Sequence, residues 1–192
     1  NTACTSTDGI CRLLQLRRVA FVASEKPEMS VSAKTNQVEA DMIAAMVERI
    51  FRQADRFDYS ATVGVIVPYR NQIATVRNAI DRYGIPALHS ITIDTVERFQ
   101  GSQRDYIIYG LTVQQRYQLN FLTDNVFEED GTLIDRKLNV AMTRARKHLT
   151  IVGNPDILAG SAVYRRLMDF MKSRDCYFNV ACEKFCAGDF SV

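Results

Sequence analysis

Residues 61–67 read ATVGVIV, an apolar run of strand length without polar alternation. Such a run needs cover on both faces, the environment of an inner strand in a parallel sheet. Related runs occur at 18–23 (RVAFVA), 106–113 (YIIYGLTV) and 149–152 (LTIV), while 90–96 alternates Ile91 and Ile93 with Thr92 and Asp94. Between them the apolar spacing becomes helical. Met42, Ile43, Met46, Val47, Ile50 and Phe51 predict a helix over 37–53, with Asn36 as N-cap and Glu39 closing the first turn. Ile73, Val76 and Ile80 predict another over 70–83, stopped by Gly84. A basic amphipathic helix is expected over 137–147, with Leu138, Ala141, Met142 and Ala145 toward the sheet, and a last helix over 157–172 with Leu158, Val163, Leu167 and Met171 on one face. Strands alternating with helices imply an α/β fold, a mostly parallel sheet with helices on both faces.

The remaining segments carry less pattern. Residues 1–17 read as a linker or residual segment, 18–175 as the domain, and 176–192 as a C-terminal tail; the polar stretch 114–131 reads as a long irregular loop. The net charge of the 192-residue chain is only +2, so any basic site is local. No apolar run approaches the ~20 residues of a membrane-spanning helix, and a cytoplasmic protein without membrane contact is the expectation. The five cysteines, Cys4, Cys11, Cys176, Cys182 and Cys186, lack disulfide or CxxC spacing. Free thiols and no metal site are expected. His89 precedes a strand and His148 is expected to end a helix, neither with a partner for acid–base work.

Ligands of such sheets sit beyond the carboxyl ends of the strands. There the chain places Pro68-Tyr69-Arg70, then Thr95-Val-Glu-Arg-Phe-Gln-Gly-Ser-Gln-Arg-Asp105. A ring at a strand end can stack on a base, an adjacent arginine can reach phosphate, and Gly101 permits close backbone approach. In 136–147 (RKLNVAMTRARK), Arg144 projects away from the apolar side as a permanent charge whose planar fork suits phosphate oxygens. Taken alone, that segment is better explained as a solvated basic helix face. The sequence reading expects Tyr69, Arg70 and Arg144 along one rim.

VIVPYRNQ (65–72), ITIDTVERFQGSQRDYIIYGLT (91–112) and RKLNVAMTRARKHLTIVGN (136–154) resemble motifs IV, V and VI of superfamily 1 helicases, most closely the Upf-like branch of superfamily 1B. NQVEA (36–40) also resembles that branch. The resemblance covers about 19–154 and implies the second of two RecA-like motor domains. It also implies ATP with Mg²⁺ as cofactor, a first motor domain of the same full-length chain as partner, and single-stranded DNA or RNA as substrate. By position it implies that Tyr69 stacks on adenine, that Arg70 approaches the γ-phosphate, and that Arg144 is the arginine finger. Gln100, Gly101 and Gln103 would line the nucleotide, and Thr95 and Glu97 would face the single strand. Two positions depart from the family: Gln103 stands where Glu is usual, and Glu97 where Asp is commoner.

No GxxxxGK[ST] loop occurs in these residues, nor an Asp-Glu pair after an apolar strand. Backbone cradle, lysine and metal ligands are therefore expected from the first motor domain, and this stretch alone should not hydrolyse ATP. A free-standing, non-catalytic nucleotide- or nucleic-acid-binding module is the alternative.

Overall fold

The apolar runs all become strands of one sheet. The computed structural model describes residues 7–29, 32–99, 102–124, 126–129 and 132–192. In chain order the elements are α1 (Gly9–Leu16), β1 (Val19–Ala23), α2 (Gln37–Gln53), β2 (Val63–Val67), α3 (Arg70–Asp81), β3 (Thr92–Thr95) and β4 (Arg104–Gly110). They continue with α4 (Gln118–Leu122), β5 (Val126–Glu129), β6 (Thr132–Asp135), α5 (Arg136–Arg144) and β7 (Ala145–Gly153). The chain closes with α6 (Pro155–Leu158), α7 (Ala162–Ser173), β8 (Tyr177–Asn179) and α8 (Cys182–Ala187). Six strands in the order β3-β2-β4-β7-β1-β8 pair in parallel throughout. This is the α/β architecture of a RecA-like domain.

Alternate side chains enter opposite cores, which is why the strands read as unbroken apolar runs. Ala20 and Val22 of β1, and Val63, Val65 and Val67 of β2, pack with α1, α2, α3 and α8. Phe21, Ile66, Ile107, Tyr109 and Ile151 pack on the other face with α4, α5, α6 and α7. The segments flanking 18–175 join these cores. Ile10 and Leu13 of α1 and Phe185 of α8 are fully buried, and β8 extends the sheet beside β1.

Asn36 caps α2 as expected, its Oδ1 accepting the Glu39 amide at 3.0 Å. Glu39 does not close the turn. The Asn36 amide donates instead to Gln72 Oε1 at 2.8 Å, and the Glu39 carboxyl turns inward. There it accepts the Thr112 amide at 2.7 Å and the Ser24 hydroxyl at 3.1 Å. Thr112 is held at φ 65°, a backbone region costly for a β-branched residue. Burial is the main influence on Glu39 and lifts its pKa to about 8, against the pull of those two donors.

Four further expectations are corrected. The stretch 114–131 is not simply an irregular loop: it contains α4 and begins the antiparallel hairpin β5–β6. The basic helix ends at Arg144. Ala145 already pairs with Arg104, so Arg146, Lys147 and His148 belong to β7, and Met142 is half exposed while Leu138 and Ala141 are buried. The last helix divides at Gly160 into α6 and α7, and the buried face of α7 is Tyr164, Met168 and Met171 rather than Val163 and Leu167. Cys11 is disulfide-bonded, whereas Cys176, Cys182 and Cys186 are free. His148 is packed inside the sheet, Nδ1 donating to the Arg17 carbonyl at 2.6 Å and Nε2 accepting from Thr150 Oγ1 at 2.7 Å. Among the described residues no helix is long and apolar enough to cross a membrane.

Candidate functional site

Parallel pairing gives the sheet two chemically different edges. At the carboxyl edge Val67 lies beside Thr95, and Ile66 beside Tyr109, which in turn pairs with Ile151. Pro68, Tyr69 and Arg70 therefore leave β2 next to where Glu97 leaves β3. A cavity of about 590 Å³ opens between them, and Tyr69, Arg70, Thr95 and Glu97 all line it.

Tyr69 precedes α3 with its ring half-buried. The ring stacks on Phe121 of α4, centroids 4.9 Å apart and planes 17° from parallel. Its hydroxyl accepts from Gln118 Nε2 at 3.3 Å, and burial raises the phenol pKa. Gln118 also donates to the Ala33 carbonyl at 2.7 Å and accepts the amides of Gln114 and Gln115. Gln114 donates to the Thr35 carbonyl. These bonds tie 114–122 to 33–36 and make α4 a wall of the cavity. Tyr117, two-thirds exposed, stands on the same wall. Lys34, Arg70 and Arg98 reach the cavity, and among the described residues none of the three forms an ion pair. Unpaired cations interleaved with rings suit a chain of phosphates bearing flat bases. Lys34, Arg98, Tyr117 and Phe121 were not singled out from the sequence; their only signal was that each follows or faces a strand end.

Arg144 lies at the opposite edge. Helix α5 runs back from the carboxyl end, capped by Asp135 Oδ1, which accepts the Lys137 and Leu138 amides at 2.8 and 3.1 Å. It delivers Arg144 immediately before Ala145, the first residue of β7. The seven steps of β7 from Ala145 to Val152, at ~3.3 Å each, put ~23 Å between the two levels. Tyr69, Arg70 and Arg144 therefore do not share a rim, because a strand's start and finish lie at opposite ends of a parallel sheet.

Gln103 accompanies Arg144, its Nε2 donating to the Thr143 carbonyl at 3.3 Å. Gln100 and Gly101 lie outside the described residues. Phe99 follows β3 on the face of the sheet that carries α4, α5, α6 and α7. That ring is buried against Gly64, where an added Cβ would come within 2.5 Å of it, and the Arg104 guanidinium covers it at 5.4 Å. The two arginines of Thr143-Arg-Ala-Arg146 differ sharply. Arg146 is neutralised, its Nε 3.0 Å from Asp105 Oδ1 and a terminal nitrogen donating to the Ala61 carbonyl at 3.0 Å. Lys147 meets the other Asp105 oxygen at 2.8 Å. Arg144 has no ion pair among the described residues, and its buried Nε lacks a hydrogen-bond partner. A buried N–H left unpaired is costly in a folded protein.

Known proteins carry the same arrangement of sequence. A family model described as an AAA domain, AAA_12, matches residues 11–156. The chain is 32% identical over 82% of its length to Helicase sen1 of Schizosaccharomyces pombe, covering 9% of that protein. It is 32% identical over 82% to the Regulator of nonsense transcripts 1 homolog of Drosophila melanogaster, covering 13%. The corresponding Arabidopsis thaliana homolog is 30% identical over 81% of this chain, of which 12% is covered. The chain belongs to the Upf-like superfamily 1B helicases. It spans roughly a tenth of the length of these relatives and corresponds to the C-terminal, second RecA-like motor domain of such a helicase. Among the described residues no cluster of three or more His, Cys, Asp or Glu could hold a metal ion.

Proposed function

We propose that this chain is the second motor half of an ATP-driven helicase, with nucleotide at the amino edge of the sheet and single-stranded DNA or RNA at the carboxyl edge. The observation that carries the reading is the unpartnered, buried Nε of Arg144 beside Gln103, set against the fully paired Arg146.

On this reading Arg144 keeps the role of arginine finger, and Gln103, with Gln100 and Gly101, contacts the nucleotide. Gln103 offers an amide rather than a carboxylate there, so it can donate as well as accept. Tyr69 and Arg70, given nucleotide roles by resemblance, are reassigned to the strand groove with Thr95 and Glu97, since they line one cavity and lie ~23 Å from the level of Arg144. The phosphate-binding loop, its lysine and the Mg²⁺ ligands belong to a first motor domain outside these 192 residues. ATP supplies the phosphoryl group whose hydrolysis drives the cycle. Arg144 contributes a fixed positive charge, and the rings of Tyr69 and Phe121 contribute stacking of ~1–3 kcal/mol per base. Helix α5, ~14 Å long at nine residues, runs between the edges and is the connection through which nucleotide state reaches the groove.

The test is ATPase activity of the full-length protein with and without single-stranded RNA or DNA. Arg144→Ala should lower turnover by ~10³–10⁵, while Arg146→Ala, which breaks an exposed pair with Asp105 and a hydrogen bond to the Ala61 carbonyl, should stay near the parent. Equal activity of parent and Arg144→Ala would defeat the assignment. Loss of nucleotide affinity without loss of strand affinity on replacing Tyr69 would return that ring to the nucleotide.

A further inference from the structure

The cysteines at the C-terminal end take no part in either edge. Cys182 and Cys186 stand one turn apart on α8, their sulfurs 3.9 Å apart, both free and both partly exposed. They form one wall of a cavity of about 360 Å³ whose other walls are Asp41 and Ala44 of α2, and Ala79, Arg82 and Tyr83 at the end of α3. Both cysteines line that opening. We propose that Cys182 and Cys186 form a peroxide-sensitive dithiol, Cys186 being the nucleophile and Cys182 the thiol that closes a reversible disulfide.

Geometry supports a pair rather than two independent thiols. Residues four apart on a helix have Cα atoms about 6 Å apart, inside the range a disulfide spans, and Cβ atoms about 5–6 Å apart, beyond it, so closure requires the turn to tighten. The sulfurs must close from 3.9 Å to about 2.05 Å. Helix α8 has only six residues, too short to be held by its own hydrogen bonds, so one turn can yield. The two sulfurs are also chemically unequal. Either sulfur can donate in the contact between them, and that contact holds the Cys186 thiol below its usual range against the opposing effect of burial. Other groups bear on Cys186 as well. Arg49 and Arg82 favour its thiolate, and Asp41, ion-paired to Arg82, opposes it. Cys182 is pushed the other way by the same contact and by burial. A more readily ionised thiol beside a less readily ionised one is the arrangement of an attacking and a resolving cysteine.

The chemistry balances with a hydroperoxide as oxidant. The Cys186 thiolate attacks the outer peroxide oxygen, the O–O bond breaks, and the leaving alkoxide or hydroxide takes up a proton. Cys186 is then a sulfenic acid. The Cys182 sulfur attacks it, the S–S bond forms, and hydroxide departs with the Cys182 proton as water. Two thiols give up two electrons and the peroxide accepts them.

The purified protein is exposed to graded hydrogen peroxide, blocked with N-ethylmaleimide and digested with trypsin. Cleavage after Arg174 and Lys184 separates Asp175–Lys184 from the peptide beginning at Phe185, so the proposed bond links two peptides. Expected are a Cys182–Cys186 linked pair, its loss with dithiothreitol, and an unreacted Cys176, which is buried in the same first peptide. In Cys182→Ser, dimedone should trap a sulfenic acid at Cys186; in Cys186→Ser, Cys182 should remain a thiol. In the untreated protein Cys186 should alkylate ~10-fold faster than Cys182 at neutral pH. A link through Cys176, dimedone capture at Cys182, or two thiols still free when other sites have oxidised would each overturn the proposal.

Discussion

Replacing Glu39 by Gln isolates one buried ionisation. Glu39 is fully buried, and its carboxyl joins α2 to the strained end of β4 at Thr112 and to Ser24 after β1. Burial raises its pKa from 4.5 to about 8. The folded state therefore favours the neutral acid. That contribution is whole below pH 4.5 and is lost as pH rises through 8, because only the unfolded chain releases the proton freely. At 1.36 kcal/mol per pH unit the loss totals ~5 kcal/mol. Gln keeps the acceptor for Thr112 and offers an N–H to the Ser24 oxygen, but cannot ionise. The expected result is that Glu39→Gln gains on the parent by ~1.4 kcal/mol per unit between pH 5 and 8, reaching a plateau above 8. Urea unfolding followed by far-ultraviolet circular dichroism is the assay, since the chain has no Trp. His148, whose pKa burial lowers, destabilises the fold only as pH falls below its unfolded value. It is present in both proteins and cancels in the difference. A parent–variant difference that stays flat from pH 5 to 8 would refute the buried-acid argument.

Two other outcomes follow from packing and charge. Gly64→Ala sets a Cβ 2.5 Å from the rigid, buried ring of Phe99, so it should lower the unfolding free energy by ~1–3 kcal/mol in chemical denaturation despite the better strand propensity of Ala. Arg70→Ala should weaken binding of single-stranded oligonucleotide of any sequence, and should flatten the dependence of log affinity on log salt by about 0.7, the share of one phosphate contact, in a fluorescence anisotropy titration. An unchanged slope would remove Arg70 from the groove.

Much of the sheet was legible because a strand buried on both faces has no freedom to be polar. Residues 61–67 and 106–113 announced themselves that way, and the Asn36 cap and the apolar face of 37–53 marked α2. Pairing was less legible. The boundary between α5 and β7 depends on Arg104 lying beside Ala145, so a basic, helix-favouring run continued three residues too far in the sequence reading. The stretch 114–131 lacked period because α4 and the hairpin are short and held by distant partners, such as Gln118 on Ala33. Likewise β8 and α8 are specified by the open edge beside β1 and by the surface of α2, neither of which lies near them in the chain.

The same division applies to the site. Local sequence determined which side chains are chemically able to act: a ring and arginine after β2, an amide at Gln103, and two arginines around Ala145. It could not say which of the two arginines is free. Asp105, 41 residues from Arg146, settles that by taking Arg146 and Lys147, while among the described residues Arg144 has no ion pair. Nor could motif order show that Tyr69 and Arg144 lie at opposite ends of the sheet, because direction along a strand becomes position in space only once neighbouring strands are aligned in parallel.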